Sequence, residues 1–216
     1  MRHVPARSAF APDAWVYVDP ARPRPRDSGS GLPRAVLFDR DGTLTEDDPP
    51  YNGDPDNVVL RPGAKEAVLL LRARRIAVGV VSNQSGVGRG LLTRAQVESV
   101  ADRIQHLLDD PLDVWTFCPH TPGEGCACRK PEPGMVLAGT EALGVDPADT
   151  VVIGDIGADL GAAAAAGAGG ILVPTPVTRA EEIAAAPGTA PDLFSAVSHL
   201  LRPGPRSLPL AREVSR

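Results

Sequence analysis

The chain reads as a doubly wound, Rossmann-like α/β domain: a parallel sheet of about five strands with helices on both faces. Three observations predict this. From Arg34 onward, short apolar runs alternate with longer amphipathic ones. The short runs are continuously apolar, as parallel strands covered on both faces must be. Polar residues gather where those runs end, which is where an open parallel sheet has its ligand crevice.

The runs expected to form strands are residues 35–38, 76–81, 114–117, 151–153 and 170–173. After Pro62-Gly63, residues Ala67, Leu70, Leu71 and Arg74 fall at helical spacing. Residues 93–109 give the clearest helix, with Thr93 and Gln96 as a capping box and Val97, Val100, Ile104, Leu107 and Leu108 as its buried stripe. A further helix runs from Pro133-Gly134 to Leu143 and stops at Gly144, and the Ala-rich residues 158–166 make another. Thr178 and Glu181 are read as capping a short helix, and residues 193–201 as the last one. No internal repeat interrupts this order.

At 216 residues the chain suits one domain plus some tail. The domain is expected over 33–202, with a C-terminal tail at 203–216. Residues 1–32, where Arg2, Arg7, Arg22, Arg24 and Arg26 sit among prolines before Ser28-Gly29-Ser30-Gly31, read as a flexible tail, although Trp15-Val16-Tyr17-Val18 has the composition to dock. A net charge of −5 and the absence of aromatic-interleaved basic stripes argue against a nucleic-acid binder. No apolar stretch reaches membrane-span length, and the first residues have no secretory apolar block, so a cytoplasmic protein is expected. A monomer is expected too, since no heptad pattern is visible.

Four pieces suit phosphate chemistry. The first strand runs into Asp39-Arg40-Asp41-Gly42-Thr43, where the strand period of two points both carboxylates the same way. Gly42 then lets the backbone turn. The second strand ends in Ser82-Asn83-Gln84-Ser85-Gly86, with a hydroxyl and N–H groups suited to phosphate oxygens. Lys130 follows the third strand by a loop, and the fourth ends in Gly154-Asp155, with Asp159 four residues on. Each piece alone is an ordinary turn, cap or surface charge. Their order at successive strand ends is what points to a site.

Asp39 is read as the nucleophile, because an ionised carboxylate attacks phosphorus without prior deprotonation and gives an aspartyl-phosphate. Both partners are anions, and a unit-charge pair at about 4 Å repels by roughly 4 kcal/mol at an effective dielectric near 20. Cations must offset this. Asp39, Asp155 and the backbone carbonyl of Asp41 offer an oxygen site for Mg²⁺. Lys130 adds a positive charge that Asp159 can hold, and Asp41 is free to act as general acid and base.

Phe38-Asp39-Arg40-Asp41-Gly42-Thr43-Leu44, Ser82-Asn83-Gln84-Ser85-Gly86, Arg129-Lys130-Pro131 and Gly154-Asp155…Asp159 resemble the four motifs of the haloacid dehalogenase (HAD) superfamily of phosphatases, over residues 34–201. The resemblance implies a phosphatase or phosphotransferase rather than a dehalogenase, because Asp41 holds the second position.

All three cysteines lie in one loop. Cys118, His120, Cys126 and Cys128 offer three thiolates and an imidazole for a closed, structural Zn²⁺ site. Inert buried thiols or a Cys126–Cys128 redox pair are the alternatives. Zinc here would pin the loop that delivers Arg129 and Lys130 to phosphate. With Pro133-Gly134-Met135, this loop resembles that of the D-glycero-D-manno-heptose 1,7-bisphosphate phosphatases of HAD subfamily IIIA, with the histidinol-phosphate phosphatases as close relatives. The resemblance implies a sugar bisphosphate as the small-molecule partner. The loop is shorter than that family's between His120 and Cys126, and residues 46–57 are unusually acidic.

Neither the interval between Asp39 and Ser82 nor that between Ser82 and Lys130 has room for a cap domain, so an open site rimmed by these two loops is expected. Ser82, Asn83, Arg129 and Lys130 are the expected phosphate and substrate contacts, with Arg89 a further candidate. A histidinol substrate would call instead on Glu46, Asp47 and Asp48 for its ammonium group. A non-catalytic zinc scaffold is the reading from another class, and the full set Asp39, Asp41, Lys130 and Asp155 argues against it.

Overall fold

In the computed structural model, which describes residues 3–21, 25 and 31–202, the strands are β1 (Val4–Ala6), β2 (Trp15–Val18), β3 (Ala35–Phe38), β4 (Ala77–Asn83), β5 (Val114–Cys118), β6 (Thr150–Gly154) and β7 (Gly169–Leu172). The helices are α1 (Ala64–Ala73), α2 (Ser85–Gly88), α3 (Arg94–Leu108), α4 (Gly134–Leu143), α5 (Gly157–Ala166), α6 (Ala180–Ala185) and α7 (Leu193–Leu200). One sheet runs in the order β1-β2-β5-β4-β3-β6-β7. From β5 to β7 every pairing is parallel, while β1 and β2 are antiparallel additions on the β5 side.

Those two strands add to the five parallel ones expected, and they lie within residues 1–32, read from the sequence as a flexible tail from which Trp15-Val16-Tyr17-Val18 could dock. Trp15-Val16-Tyr17-Val18 is β-branched and aromatic, the composition that fits a pleated, half-buried surface. It covers the backbone groups that β5 would otherwise leave unpaired at an edge. Tyr17 meets Phe117 edge-on at 6.2 Å between ring centroids, and Phe117 stacks on Trp115 at 5.6 Å. Arg94 of α3 lies over both Trp15 and Tyr17, and the Tyr17 hydroxyl donates to Glu98. The Tyr17 and Trp15 contacts reach across about eighty to a hundred residues of chain, which local composition does not express. The expectations for residues 203–216 and for Arg2, Arg22, Arg24, Arg26 and Ser28-Gly29-Ser30 lie outside the described residues.

The period of two in each strand sorts the core into two layers. Val36, Phe38, Val78, Val80, Trp115, Phe117, Val151 and Ile153 face α1, α3 and α7 through Ala67, Val68, Leu71, Val97, Val100, Ile104 and Val197. Ala35, Leu37, Ala77, Val81, Val114 and Val152 face α4 and α5 through Met135, Val136, Ala138, Ala162 and Ala163. Each large side chain buried this way contributes about 1.5–3 kcal/mol. The second layer is richer in alanine, so the Ala-rich helix α5 fits closely there.

The helix starts follow their caps. Thr93 and Gln96 form a reciprocal capping box at α3. At α6 the sequence reading was one residue early: Arg179, not Thr178, is the N-cap, and Glu182 accepts from its backbone N–H at 3.1 Å. The Thr178 hydroxyl is drawn instead to the Asp155 carbonyl. The described residues between Asp39 and Ser82, and between Ser82 and Lys130, hold only helices, short 3-10 turns, one or two strands and loops. No helix among the described residues is long and apolar enough to cross a membrane.

Candidate active site

The chain leaves β3 for β4 and β5 on one side and returns to β6 and β7 on the other, so β3 and β6 flank the topological switch point. Register makes their ends level: Phe38 pairs with Val80 and with Ile153, and the Asp39 N–H donates to the Ile153 carbonyl at 2.9 Å. Asp39, Ser82 and Asp155 therefore emerge together at the carboxyl ends of β3, β4 and β6, where ligands bind in such sheets.

Lys130 reaches this point from the loop after β5. Its ammonium is almost fully buried and donates to Asp39 Oδ1 at 2.5 Å, to Asp159 Oδ1 at 2.5 Å and to the Val81 carbonyl at 2.8 Å. Asp159 is itself fixed in the first turn of α5, where Oδ2 accepts from the Ile156 N–H at 3.2 Å. Burial pulls the Lys130 ammonium down, but the Asp159 and Asp39 carboxylates outweigh it and hold the pKa above the usual lysine range.

The carboxylates of Asp39, Asp155 and Asp159 offer oxygens within 4.8 Å of one another, all buried. Burial, with the charges of Asp159, Asp155 and Asp41 outweighing the opposite pull of Lys130, pushes the Asp39 carboxyl well above the carboxylate range. Burial, then the charge of Asp159, lifts Asp155 to about 6. With every carboxylate ionised, the three would leave a net double negative charge against one ammonium in a low-dielectric pocket. A divalent cation balances that charge, and hard carboxylate oxygens are the ligands that magnesium takes. Asp159 is committed to Lys130 and the α5 N-terminus, so Asp39 and Asp155 are the donors that fit the ion.

Gly42 keeps the space open. Its φ is +83°, and a Cβ there would lie 2.5 Å from Asp155 Oδ2. Only glycine meets both conditions without strain. Asp155 is further held by Thr43, whose hydroxyl donates to Oδ1 at 3.3 Å, and by Thr178, whose hydroxyl donates to the Asp155 carbonyl at 2.7 Å. This is why Thr178 does not cap α6.

Asp41 stands at the mouth. Its Oδ1 accepts from Arg40 Nε at 2.8 Å and its Oδ2 from Gln84 Nε2 at 2.8 Å. Ser82 is buried, and its hydroxyl accepts from the same Gln84 amide at 2.8 Å. The Asn83 side chain turns to the backbone of Lys130, and Arg129 donates to the His120 carbonyl at 3.2 Å. Of the expected substrate contacts, Ser82 and Lys130 thus line the cluster, while the Asn83 and Arg129 side chains are engaged with the Lys130 loop. Arg89 is exposed and lies 5.9 Å over the Tyr51 ring, which ties α2 to the acidic loop. Glu46, Asp47 and Asp48 are exposed on that loop, with Glu46 3.6 Å from Arg61. Burial, then the Asp41 charge, raises the Asp47 carboxyl.

The cysteine loop closes on itself above β5. Cys118 Sγ lies 3.4 Å from His120 Nδ1 and 3.6 Å from Cys126 Sγ; Cys128 Sγ lies 3.2 Å from His120 Nδ1 and 3.5 Å from Cys126 Sγ. The three cysteines are free thiols, and these separations exceed the about 2.05 Å of a disulfide bond. A tetrahedral ion bonded at about 2.3 Å to sulfur and about 2.0 Å to nitrogen sets its ligand atoms roughly 3.5–3.8 Å apart, so the four residues fit zinc. Hydrogen bonding with Cys128 brings the Cys118 thiol down to about 5.

Comparison with known proteins agrees with this arrangement. The HAD-hydrolase-like family model matches residues 127–200. A D-glycero-beta-D-manno-heptose-1,7-bisphosphate 7-phosphatase of Escherichia coli K12 is 38% identical over 164 residues, covering 70% of this chain and 85% of that protein. The chain belongs to the HAD phosphatases. The Bordetella bronchiseptica protein of the same name is 36% identical over 145 residues, 66% of this chain and 81% of its own length. A crystal structure of the D,D-heptose 1,7-bisphosphate phosphatase from B. bronchiseptica, complexed with magnesium and phosphate, superposes on this HAD phosphatase with a TM-score of 0.67 at 31% identity, covering 78% of this chain and 98% of that one. A putative HAD-like phosphatase from Mesorhizobium loti superposes with a TM-score of 0.71 at 30% identity, covering 88% of this chain and 96% of that one.

Sequence reasoning missed Arg40, Gln84, Thr43 and Thr178 in this HAD phosphatase. Arg40 stands between Asp39 and Asp41 with no role assigned from the sequence, and surface exposure is the default for arginine. It is in fact fully buried. The one signal available was its place between two carboxylates at a strand end.

Proposed function

We propose that the protein is a magnesium-dependent phosphomonoesterase that removes one phosphate of a sugar bisphosphate, with the 7-phosphate of D-glycero-D-manno-heptose 1,7-bisphosphate as its substrate. The observation that carries this reading is the meeting of Asp39, Asp155, Asp159 and Lys130 at the switch point.

Asp39 attacks phosphorus through the oxygen that Lys130 does not hold, and an aspartyl-phosphate forms as the sugar oxygen leaves. Lys130 spreads its positive charge over the nucleophile and the incoming phosphoryl oxygens, which lowers the repulsion between two anions. Asp41 gives a proton to the departing sugar oxygen and then takes one from the water that hydrolyses the intermediate. Asp39 and Asp155, with the Asp41 backbone carbonyl, hold magnesium, which when bound neutralises charge on the transferring phosphoryl group. Cys118, His120, Cys126 and Cys128 hold a structural zinc ion that stiffens the loop leading to Arg129 and Lys130. The relatives' names support the heptose substrate, and the acidic domain and open rim suit a small soluble metabolite.

The test is phosphate release with magnesium present, comparing heptose 1,7-bisphosphate with histidinol phosphate and using Asp39→Asn as control. Turnover of the heptose that disappears in the variant is the expected result. Preference for histidinol phosphate would overturn the substrate, and activity surviving in Asp39→Asn would overturn the mechanism.

A further inference from the structure

Arg40 is a charged side chain with no exposed surface, and its role is not explained by the chemistry assigned above. Burying a guanidinium costs several kcal/mol unless its hydrogens are matched. Here they are matched only in part, since Nη1 has no hydrogen-bond partner among the described residues. The other two nitrogens close a ring. Nε donates to Asp41 Oδ1 at 2.8 Å, and Nη2 donates to Gln84 Oε1 at 3.0 Å. Gln84 Nε2 completes it by donating to Asp41 Oδ2 at 2.8 Å. The opposite amide orientation would set the Gln84 oxygen against a carboxylate oxygen and its NH₂ against a guanidinium N–H, so the ring also decides which way Gln84 points.

We infer that Arg40 and Gln84 are positioning residues for Asp41, holding its carboxyl at the place where the leaving oxygen departs. The inference rests on the reading of Asp41 as the acid and base. A carboxyl on an exposed strand end has free rotation about two bonds, and proton transfer needs heavy atoms within about 2.6–3.2 Å. The ring removes that freedom by taking both Asp41 oxygens. It also connects the acid and base to the phosphate side of the site, because the same Gln84 amide donates to Ser82 Oγ at 2.8 Å. Gln84 is buried, and its backbone N–H donates to the Cys118 carbonyl at 2.7 Å, so the ring stands on the β5 end that bears the cysteine loop.

Leaving-group chemistry separates a positioning role from a structural one. An alkoxide is a strong base and leaves only with a proton, whereas p-nitrophenolate leaves unprotonated. The assay therefore compares heptose 1,7-bisphosphate with p-nitrophenyl phosphate in the wild type, Gln84→Met and Arg40→Lys. Gln84→Met keeps length and removes both amide groups; Arg40→Lys keeps the charge and removes the fork. Each variant's fold is checked by thermal melting, and either one suffices. The expected result is a loss of about 30-fold in kcat/KM, which covers the steps up to departure of the leaving group and not the later hydrolysis common to both, for the heptose ester and under about 3-fold for the aryl ester, a fraction of the ~10²–10⁴-fold that positioned acid–base catalysis supplies. Equal losses on both esters, or no loss in a folded variant, would overturn the inference. Aryl and alkyl activities that both survive Asp39→Asn would instead remove the reading on which it rests.

Discussion

The side-chain amide of Asn83 holds both backbone groups of Lys130: Oδ1 accepts from the Lys130 N–H at 3.0 Å, and Nδ2 donates to the Lys130 carbonyl at 3.2 Å. A strand end and a distant loop are thereby locked in one register. The Lys130 ammonium is set from both sides, by this clamp on its backbone and by Asp159 at its tip.

Removing the clamp leaves Lys130 its carboxylate partners but not its place. Asn83→Ala is expected to lower kcat for the phosphate ester by about 10-fold, since ångström-scale misplacement costs up to ~10²-fold. Steady-state kinetics on the folded variant checks this, and an unchanged kcat would show that Asp39 and Asp159 alone suffice to seat the lysine.

Gly42→Ala strikes the cation site directly. The new methyl would sit 2.5 Å from Asp155 Oδ2 on a backbone with φ +83°, a conformation costing roughly 1–2 kcal/mol for an L-residue. We expect a lower melting temperature and at least a tenfold loss of magnesium affinity, read from the melting temperature as magnesium is titrated.

The proposed zinc site predicts a mechanical effect. Cys128 is two residues from Lys130, and the loop also packs on α2, where the Gly88 N–H donates to the Pro119 carbonyl at 2.9 Å. Chelating the metal, or Cys126→Ser, is expected to lower both the melting temperature and kcat, with zinc restoring both after chelation. Metal analysis of the protein as purified is expected to find zinc equimolar with chain. Full activity in zinc-free protein of normal fold would break the link between this loop and Lys130.

The pH dependence follows from Asp155. Its folded pKa of about 6 lies above the ordinary value of 3.8, so its contribution to stability is whole below the unfolded value and is lost as pH rises through the folded one. Asp39 shifts in the same direction. Metal-free protein is expected to lose melting temperature between about pH 4 and about pH 6 from these groups. Magnesium binds the ionised carboxylates, so the rise in melting temperature that it produces is expected to be larger near pH 7 than near pH 5. An equal rise at both values would mean that these carboxylates do not hold the ion.

Much of this was legible in the chain because it is written locally. The five parallel strands showed as continuous apolar runs, the α3 start as Thr93 with Gln96, and the site as carboxylates, a hydroxyl and a lysine at strand ends. Cys118, His120, Cys126 and Cys128 stand within eleven residues, so their grouping needed little from the fold. Each of these signals has a period or spacing that one element enforces on its own.

What the tertiary structure decided is what spans elements. The sequence by itself determined which chemistry the protein has available, because strand period and loop order bring Asp39, Ser82, Lys130 and Asp155 to one end of a sheet. Only the folded chain decided that Trp15-Val16-Tyr17-Val18 would leave its arginine- and proline-rich surroundings for the sheet, that Asn83 would turn from phosphate to the Lys130 backbone, and that Arg40 would be buried against Asp41 and Gln84. The reason is physical. A polar side chain in a sequence has many equivalent partners, water among them, and burial removes water and makes it take whichever donor or acceptor the packing has placed within reach.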